Sequence, residues 1–145
     1  MILPDELVAK LAIPAIRALI ARRLMSVYGL TQKQVADKLG ITQAAVSNYV
    51  NGKRGITFKA EDYPEVERGI ETLSDALAKG EADESTIMTR MTEICDYIRV
   101  QRLMCTPHKA LEPGLDVESC HACDEPLLKR VELTVTGLSA LKGAA

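Results

Sequence analysis

Aromatic residues are scarce in this 145-residue sequence, which contains one Phe, four Tyr and no Trp. A hydrophobic core must therefore consist of aliphatic side chains, which suits packed helices better than a β-sandwich or barrel. Long apolar runs are also lacking, because prolines and arginines interrupt the N-terminal stretch before the roughly 20 residues that a membrane-spanning helix needs. Asp5 and Glu6 give this stretch an acidic start, unlike a secretory signal. We expect a soluble, cytoplasmic protein with no membrane segment.

Motifs of the common enzyme classes are absent as well. The sequence has two His residues and contains no HExxH, no phosphate-binding glycine loop and no G-x-S-x-G. A general base beside an open metal position is hard to assemble from so few residues. We therefore expect that the protein is not an enzyme.

The charges are unevenly distributed along the chain. The net charge is only −2, yet residues 1–60 carry nine Lys/Arg against three Asp/Glu, whereas residues 61–145 carry nine against seventeen. A basic half joined to an acidic half is expected when only one part of a protein meets a polyanion. The asymmetry indicates nucleic acid as a partner of the first half.

The apolar periodicity predicts an all-α fold. It indicates a helix over 13–28, ended by Gly29, and then two short helices that begin at the capping residues Thr31 and Thr42. Gly40 lies in the turn between the two short helices. Further helices are predicted over 64–79, 84–101 and 127–142, the last of which could equally contain a short strand.

Residues 32–51 meet the steric demands of two helices that cross closely around a short turn. Ala36 supplies a small residue where the helices touch, and Gly40 can adopt the positive φ that the turn requires. The inward-facing anchors are Val35 and Leu39 on the first helix and Val46 and Tyr49 on the second. The segment is therefore predicted to form a helix-turn-helix.

The stretch TQKQVADKLGITQAAVSNY resembles the helix-turn-helix of the XRE/Cro/CI family, which includes the lambdoid phage repressors, and the likeness covers about residues 13–58. It implies a DNA-binding transcriptional regulator whose second motif helix enters the major groove. In that role Gln43 would pair with adenine, and Ala44 would contact a thymine methyl. The residues implied to contact DNA are Gln32, Lys33, Thr42, Gln43, Ala44, Ser47, Asn48, Lys53 and Arg54. Further candidates for phosphate contacts are Arg22, Arg23 and Lys59, although arginines on a helix surface are more often simply solvated.

The whole chain also resembles predicted archaeal XRE-type regulators, which share the opening LPDELV, this motif and a Cys-bearing tail. We expect three regions: a DNA-binding domain over 1–60, a helical linker or dimerisation region over 61–103 and a Cys-rich tail over 104–145. A homodimer is expected, because one recognition helix reads only a few base pairs. The alternative is a protein-interaction module, such as an antitoxin-like protein, in which the helix-turn-helix is structural.

The cysteines Cys95, Cys105, Cys120 and Cys123 give the spacing C-x9-C-x14-C-x2-C. In a cytoplasmic protein this pattern indicates metal ligation rather than disulfides, because a C-x2-C turn directs two thiolates to one metal. All four could hold a [4Fe–4S] cluster that senses redox state or iron, which is the favoured alternative. With His108 in place of Cys95, the site would be a Cys3His zinc site. Cys95 can take part only if its helix ends well before Met104 and the chain turns back.

Overall fold

The computed structural model describes residues 1–129, which are helical and contain no β-strand. The expected all-α class is confirmed for these residues, and most of the helix or strand expected over 127–142 lies outside them. The helices are α1 (Pro4–Leu7), α2 (Ile13–Ser26), α3 (Gln32–Leu39), α4 (Gln43–Val50), α5 (Pro64–Lys79), α6 (Glu84–Val100), α7 (Cys105–Leu111) and α8 (Glu125–Leu128), with a π-helical segment at Val8–Ala12 and a 3-10 segment at Ala60–Asp62.

The N-terminal helical region begins earlier than the predicted position 13. α1, the π-helical segment and α2 follow one another with helical dihedral angles throughout. Pro14 has no N–H to donate, and its ring clashes with the carbonyl four residues earlier in a regular helix. The π-helical segment ends at Ala12, two residues before Pro14, and the Ile13 N–H donates to the Val8 carbonyl in the π-type register. Burial of Leu7 and Leu11 holds this extension against the core.

The predicted helix boundaries of the motif are confirmed. The Thr31 hydroxyl accepts a hydrogen bond from the Gln34 backbone N–H at 3.2 Å, and the Thr42 hydroxyl accepts one from Ala45 N–H at 3.1 Å. Both threonines thus act as N-caps. Gly40 ends α3 in the left-handed conformation, with φ +63°. α5 begins with Pro64 in its first turn, as expected for a residue without an N–H.

α2 lies at the centre of the molecule. It packs against α3, α4, α5 and both non-α helical segments. Small residues on several faces of α2 allow neighbouring helices to approach closely, and larger ones fill the space between them. Its buried side chains are Pro14, Ala15, Ile16, Ala18, Ile20, Ala21 and Leu24.

One hydrophobic core joins the first 60 residues to the helices that follow. Leu7, Ile16 and Val46 belong to the same cluster of buried residues as Ile70 of α5 and Ile98 of α6. The expected boundary at residue 60 is therefore crossed by continuous apolar packing. α6 is unevenly covered, since Cys95 and Ile98 near its C-terminal end are its buried residues.

After α6 the chain reverses direction and packs back toward the N-terminus. Arg102 has φ +56° in this reversal, which brings α7 to begin at Cys105. The Arg102 guanidinium then donates hydrogen bonds to the backbone carbonyls of Val117, Glu118 and Cys120. One partly buried arginine thereby holds the loop between α7 and α8.

The loop after α4 is fixed to α2 at Gly55. This glycine has φ +74°, and a Cβ built on it would lie 2.4 Å from the Pro14 carbonyl oxygen and 2.8 Å from the Ala18 Cβ. No side chain fits at that separation, so two requirements converge on glycine: a left-handed backbone and direct backbone contact with α2.

We expect Gly55→Ala to lower the free energy of unfolding by about 1 kcal/mol for the left-handed backbone and by about 1–3 kcal/mol more for overpacking against Pro14. Gly80→Ala is the matched control, because Gly80 has φ +66° and no atom lies within 4 Å of the position that its new methyl group would take. Urea unfolding of both variants separates the two contributions. If both variants lost the same free energy of unfolding, the loop would have to move away from α2 at little energetic cost.

Candidate functional site

The exposed and buried faces of α4 divide its side chains into two sets. Val46 and Tyr49 are buried against the rest of the helix-turn-helix, as predicted. Thr42, Gln43 and Ala44 lie exposed at the N-terminal end of the helix. Ser47 and Asn48, one turn later, are partly exposed. The five predicted base-facing residues thus all remain accessible on the same short helix.

The close crossing of α3 and α4 has the expected composition. Val35 and Ala36 are buried, with Ala36 only 5% exposed, and Leu39 is partly buried. The Ile41 backbone N–H donates to the Ala36 carbonyl at 3.1 Å across the turn. This hydrogen bond, together with Gly40, fixes the entry of the chain into α4. The orientation of α4 is therefore set by backbone as well as by side-chain packing.

The turn after α4 is organised by contacts that sequence reasoning missed. The Asn48 carbonyl accepts hydrogen bonds from the backbone N–H groups of Lys53 and Arg54, at 2.9 and 3.2 Å. The Arg54 guanidinium lies 5.2 Å from the centre of the Tyr49 ring, a cation–π distance. Both predicted phosphate-contacting cations are thereby held in a turn attached to the recognition helix. The signal for the stacked pair was an Arg shortly after an inward-facing Tyr.

The predicted cations near the motif differ in their surroundings. Lys33, Lys53 and Arg54 are exposed, and Gln32 is partly exposed at the start of α3. Arg23, by contrast, donates from Nε and Nη2 to Asp75 Oδ1 at 3.2 and 3.1 Å. Its guanidinium joins α2 to α5, so we assign it to the fold rather than to a phosphate contact.

Tyr28 completes the Arg23–Asp75 contact. Its hydroxyl donates to Asp75 Oδ1 at 2.6 Å. The hydrogen bond from Tyr28, followed by that from Arg23, holds the pKa of Asp75 below its ordinary value. The same bond to Asp75 raises the pKa of Tyr28. Three side chains from α2, the following turn and α5 thus form one polar link beside the helix-turn-helix.

The four cysteines do not share one environment. Cys95 is 7% exposed and belongs to the hydrophobic core cluster. Burial, with a smaller contribution from Asp96, raises its pKa to about 11. The predicted condition for its participation is met in part, since α6 ends at Val100 and the chain turns back at Arg102. Its thiol nevertheless lies among apolar side chains.

The other three cysteines are partly exposed and lie outside the hydrophobic core cluster. Burial raises the pKa of Cys123, and the neighbouring thiols of Cys105 and Cys120 add to the effect, while the Arg99 guanidinium opposes it. Cys120 and Cys123 line a cavity of about 580 Å³ together with His108 and Glu112. Cys105 lies one helical turn before His108 on α7. Two cysteines and a histidine therefore line one cavity of the tail, and the third cysteine precedes that histidine on α7.

His108 is buried and has a defined hydrogen-bond partner. Its Nε2 lies 2.7 Å from Glu112 Oε2. Hydrogen bonds from the Met1 amino group and then from His108 lower the pKa of Glu112 to about 2. Within residues 1–129, as positioned in the structure, no three His, Cys, Asp or Glu side chains are close enough to hold one metal ion. The metal-ligand assignments stay predictions.

None of the helices within residues 1–129 is long and apolar enough to cross a membrane.

Residues 28–60 match the family model described as Helix-turn-helix (HTH_3). The match confirms the predicted XRE-type helix-turn-helix over these residues and supports a DNA-binding regulator. No curated protein and no solved structure matches the chain significantly.

We expect Asp75→Asn to destabilise the fold at pH 7, because the amide loses the charge that pairs with Arg23. Since the native pKa of Asp75 is lowered, its stabilising contribution is present above the unfolded pKa and is lost as the pH falls below about 4. Denaturant unfolding measures the free energy of unfolding of both proteins. The difference in this free energy between the variant and the wild type should become smaller as the pH falls from 7 to 3.

Glu71→Gln is the matched control for this change, because Glu71 Oε1 lies 3.8 Å from Arg23 Nη1 and its side chain is 48% exposed. We expect little change in stability for this variant. If the free energies of unfolding of Asp75→Asn and the wild type differed by the same amount at every pH, the assigned role of Asp75 would be contradicted.

Proposed function

We propose that this protein, whose residues 28–60 form an XRE-type helix-turn-helix, is a transcriptional regulator that recognises a specific DNA sequence through α4. The observation that carries the proposal is the division of α4 into a buried apolar face and an accessible polar face. Val46 and Tyr49 anchor the helix, and Gln43 and its neighbours remain free to reach base edges. A helix in the major groove contacts bases with its N-terminal residues, which are the exposed ones here.

Charge around α4 favours DNA over a protein partner. Lys33 at the start of α3 and Lys53 and Arg54 after α4 are exposed cations that precede and follow the recognition helix in the chain. Residues 1–60 have an excess of six positive charges, whereas the rest of the chain is acidic. Phosphate contacts supply most of the non-specific affinity for DNA. A purely structural helix-turn-helix has no need of this arrangement.

We expect Gln43→Ala to relax sequence choice, because a carboxamide that pairs with adenine contributes about 1–3 kcal/mol of discrimination. Lys53→Ala should instead weaken binding to all duplexes alike and reduce the slope of log affinity against log salt by about one. Fluorescence anisotropy with a selected duplex and a random duplex, each at several salt concentrations, measures both effects.

Lys79→Ala serves as the control, since Lys79 is an exposed cation in the acidic half of the chain. This substitution should change neither the discrimination between the two duplexes nor the slope of log affinity against log salt. If Gln43→Ala weakened the selected and the random duplex equally, its base-reading role would be wrong. Absence of any salt-dependent binding by the wild type would refute DNA recognition itself.

The regulator is further proposed to act as a homodimer that pairs through the groove between α5 and α6. This groove has a volume of about 600 Å³ and an apolar floor that includes Leu73 and Ile94. Its rim carries both signs of charge, with Arg68 beside Glu65 on α5 and Arg90 beside Glu93 on α6. In a two-fold interface the same patch faces itself, so mixed charges of this kind offer each copy a complementary partner.

Thr72→Glu should break this pairing, because Thr72 lines the groove and its hydroxyl bonds only to the Arg68 carbonyl of its own helix, at 2.9 Å. Thr89→Glu is the matched control: Thr89 is exposed, bonds in the same way to the Ser85 carbonyl at 2.9 Å and does not line the groove. Sedimentation equilibrium should give twice 15.8 kDa for the wild type and the control, and 15.8 kDa for Thr72→Glu. A wild-type monomer, with and without DNA, would exclude the dimer.

A further inference from the structure

We propose that Cys105, His108, Cys120 and Cys123 form a Cys3His site for a single zinc ion, and that Cys95 is a core residue outside it. This inference goes beyond DNA recognition and does not depend on it. It also chooses between the two ligand sets that the sequence left open.

Two short segments present the proposed ligands. Cys105 and His108 lie three residues apart on α7, which places them on one side of that helix. Cys120 and Cys123 come from the turn before α8 and share a cavity with His108. Two pairs, each separated by two residues, are the usual arrangement of a tetrahedral zinc site. Ligation requires a local closing of these two segments around the ion, because in the described positions they do not yet form a metal-binding group.

Glu112 prepares His108 for this role. With the proton on Nε2, the hydrogen bond to Glu112 Oε2 at 2.7 Å leaves the lone pair of Nδ1 for a metal. Histidine ligands commonly donate their other ring N–H to a carboxylate, which fixes the tautomer and the ring orientation. A surface histidine has no comparable constraint, and His108 is 8% exposed.

Two partly buried arginines, Arg99 and Arg102, precede Cys105 in the chain and carry positive charge. The Nε groups of Arg99 and Arg102 are buried and have no hydrogen-bond partner among residues 1–129. Arg102 bonds to the Cys120 carbonyl at 3.0 Å. Zn²⁺ with three thiolates carries one net negative charge, which the positive charge of Arg102 beside Cys120 would offset.

Cys95 does not fit the same site. It packs within the core that also contains Ile98 and Met104, both essentially buried. A four-cysteine cluster would require Cys95 to leave this packing and would leave His108 without a role. The arrangement of the tail therefore favours one zinc ion over an iron–sulfur cluster.

The test uses the full-length protein, reduced, freed of metal by a chelator and titrated with Co²⁺ as a spectroscopic probe for zinc. We expect one Co²⁺ per chain, visible bands typical of tetrahedral coordination and a thiolate-to-metal absorption with the intensity of three thiolates. The thiolate count is read from the wild type and so does not depend on how any variant folds. Displacement of Co²⁺ by Zn²⁺ should abolish these bands.

Variants then identify the ligands. Replacing Cys105, Cys120 or Cys123 by alanine should lower the Co²⁺ affinity at least 100-fold. Cys95→Ala should change this affinity less than threefold. Glu112→Gln should weaken binding about 10–100-fold while the count stays at three thiolates, as expected for a positioning residue. His108→Ala should weaken binding and alter the visible bands.

The proposal would be overturned by a count of four thiolates per metal ion or by the absence of stoichiometric Co²⁺ binding. An equal loss of Co²⁺ affinity in Cys95→Ala and Cys123→Ala would also overturn it. Assembly of a brown iron–sulfur protein that requires Cys95 would do the same. Because DNA binding is measured separately by anisotropy, failure of the zinc site and failure of the proposed function are distinguishable.

Discussion

Burial of α2 on nearly all sides is the constraint on which the rest of the molecule depends. Ile16 and Ile20 are completely buried, and Ala18 and Ala21 give neighbouring helices room to approach. Truncation of a large buried aliphatic residue costs about 2–5 kcal/mol, so this helix cannot be displaced without loss of the fold. The recognition helix, the loop at Gly55 and α5 all take their positions from it. The orientation of the DNA-facing side chains is thus determined by residues that never meet DNA.

The motif could be predicted from the sequence because its constraints are local. Thr31 and Thr42 cap the helices they precede, Gly40 adopts the positive φ of the turn, and Val46 and Tyr49 are buried, each as expected. Caps and turns depend on hydrogen bonds within a few residues, so the sequence pattern contains them directly. The accessible polar face of α4 follows from the same periodicity.

Features that depend on residues distant in sequence could not be predicted in this way. The first helix is predicted to begin at residue 13, where the regular apolar spacing begins, whereas the helical region starts at Pro4 and includes a π-helical segment whose spacing differs from that of an α-helix. Arg23 and Asp75 are 52 residues apart, so periodicity gives no sign of their pairing. The separate environment of Cys95 depends likewise on the path of the chain after α6, which spacing alone does not reveal.

Contacts between the two ends of the described chain bear on how the protein is made. The Arg99 guanidinium lies 3.1 Å from the Asp5 carboxylate, and the Ile2 backbone N–H donates to Glu112 at 3.0 Å, a separation of 110 residues. A ribosome adds about 5–20 residues per second, so the N-terminal helix emerges several seconds before its partners. During that interval Leu7 and Leu11 lack the helices that later cover them. The N-terminal helical region therefore reaches its final packing only after α6, which contacts the π-helical segment, has been synthesised.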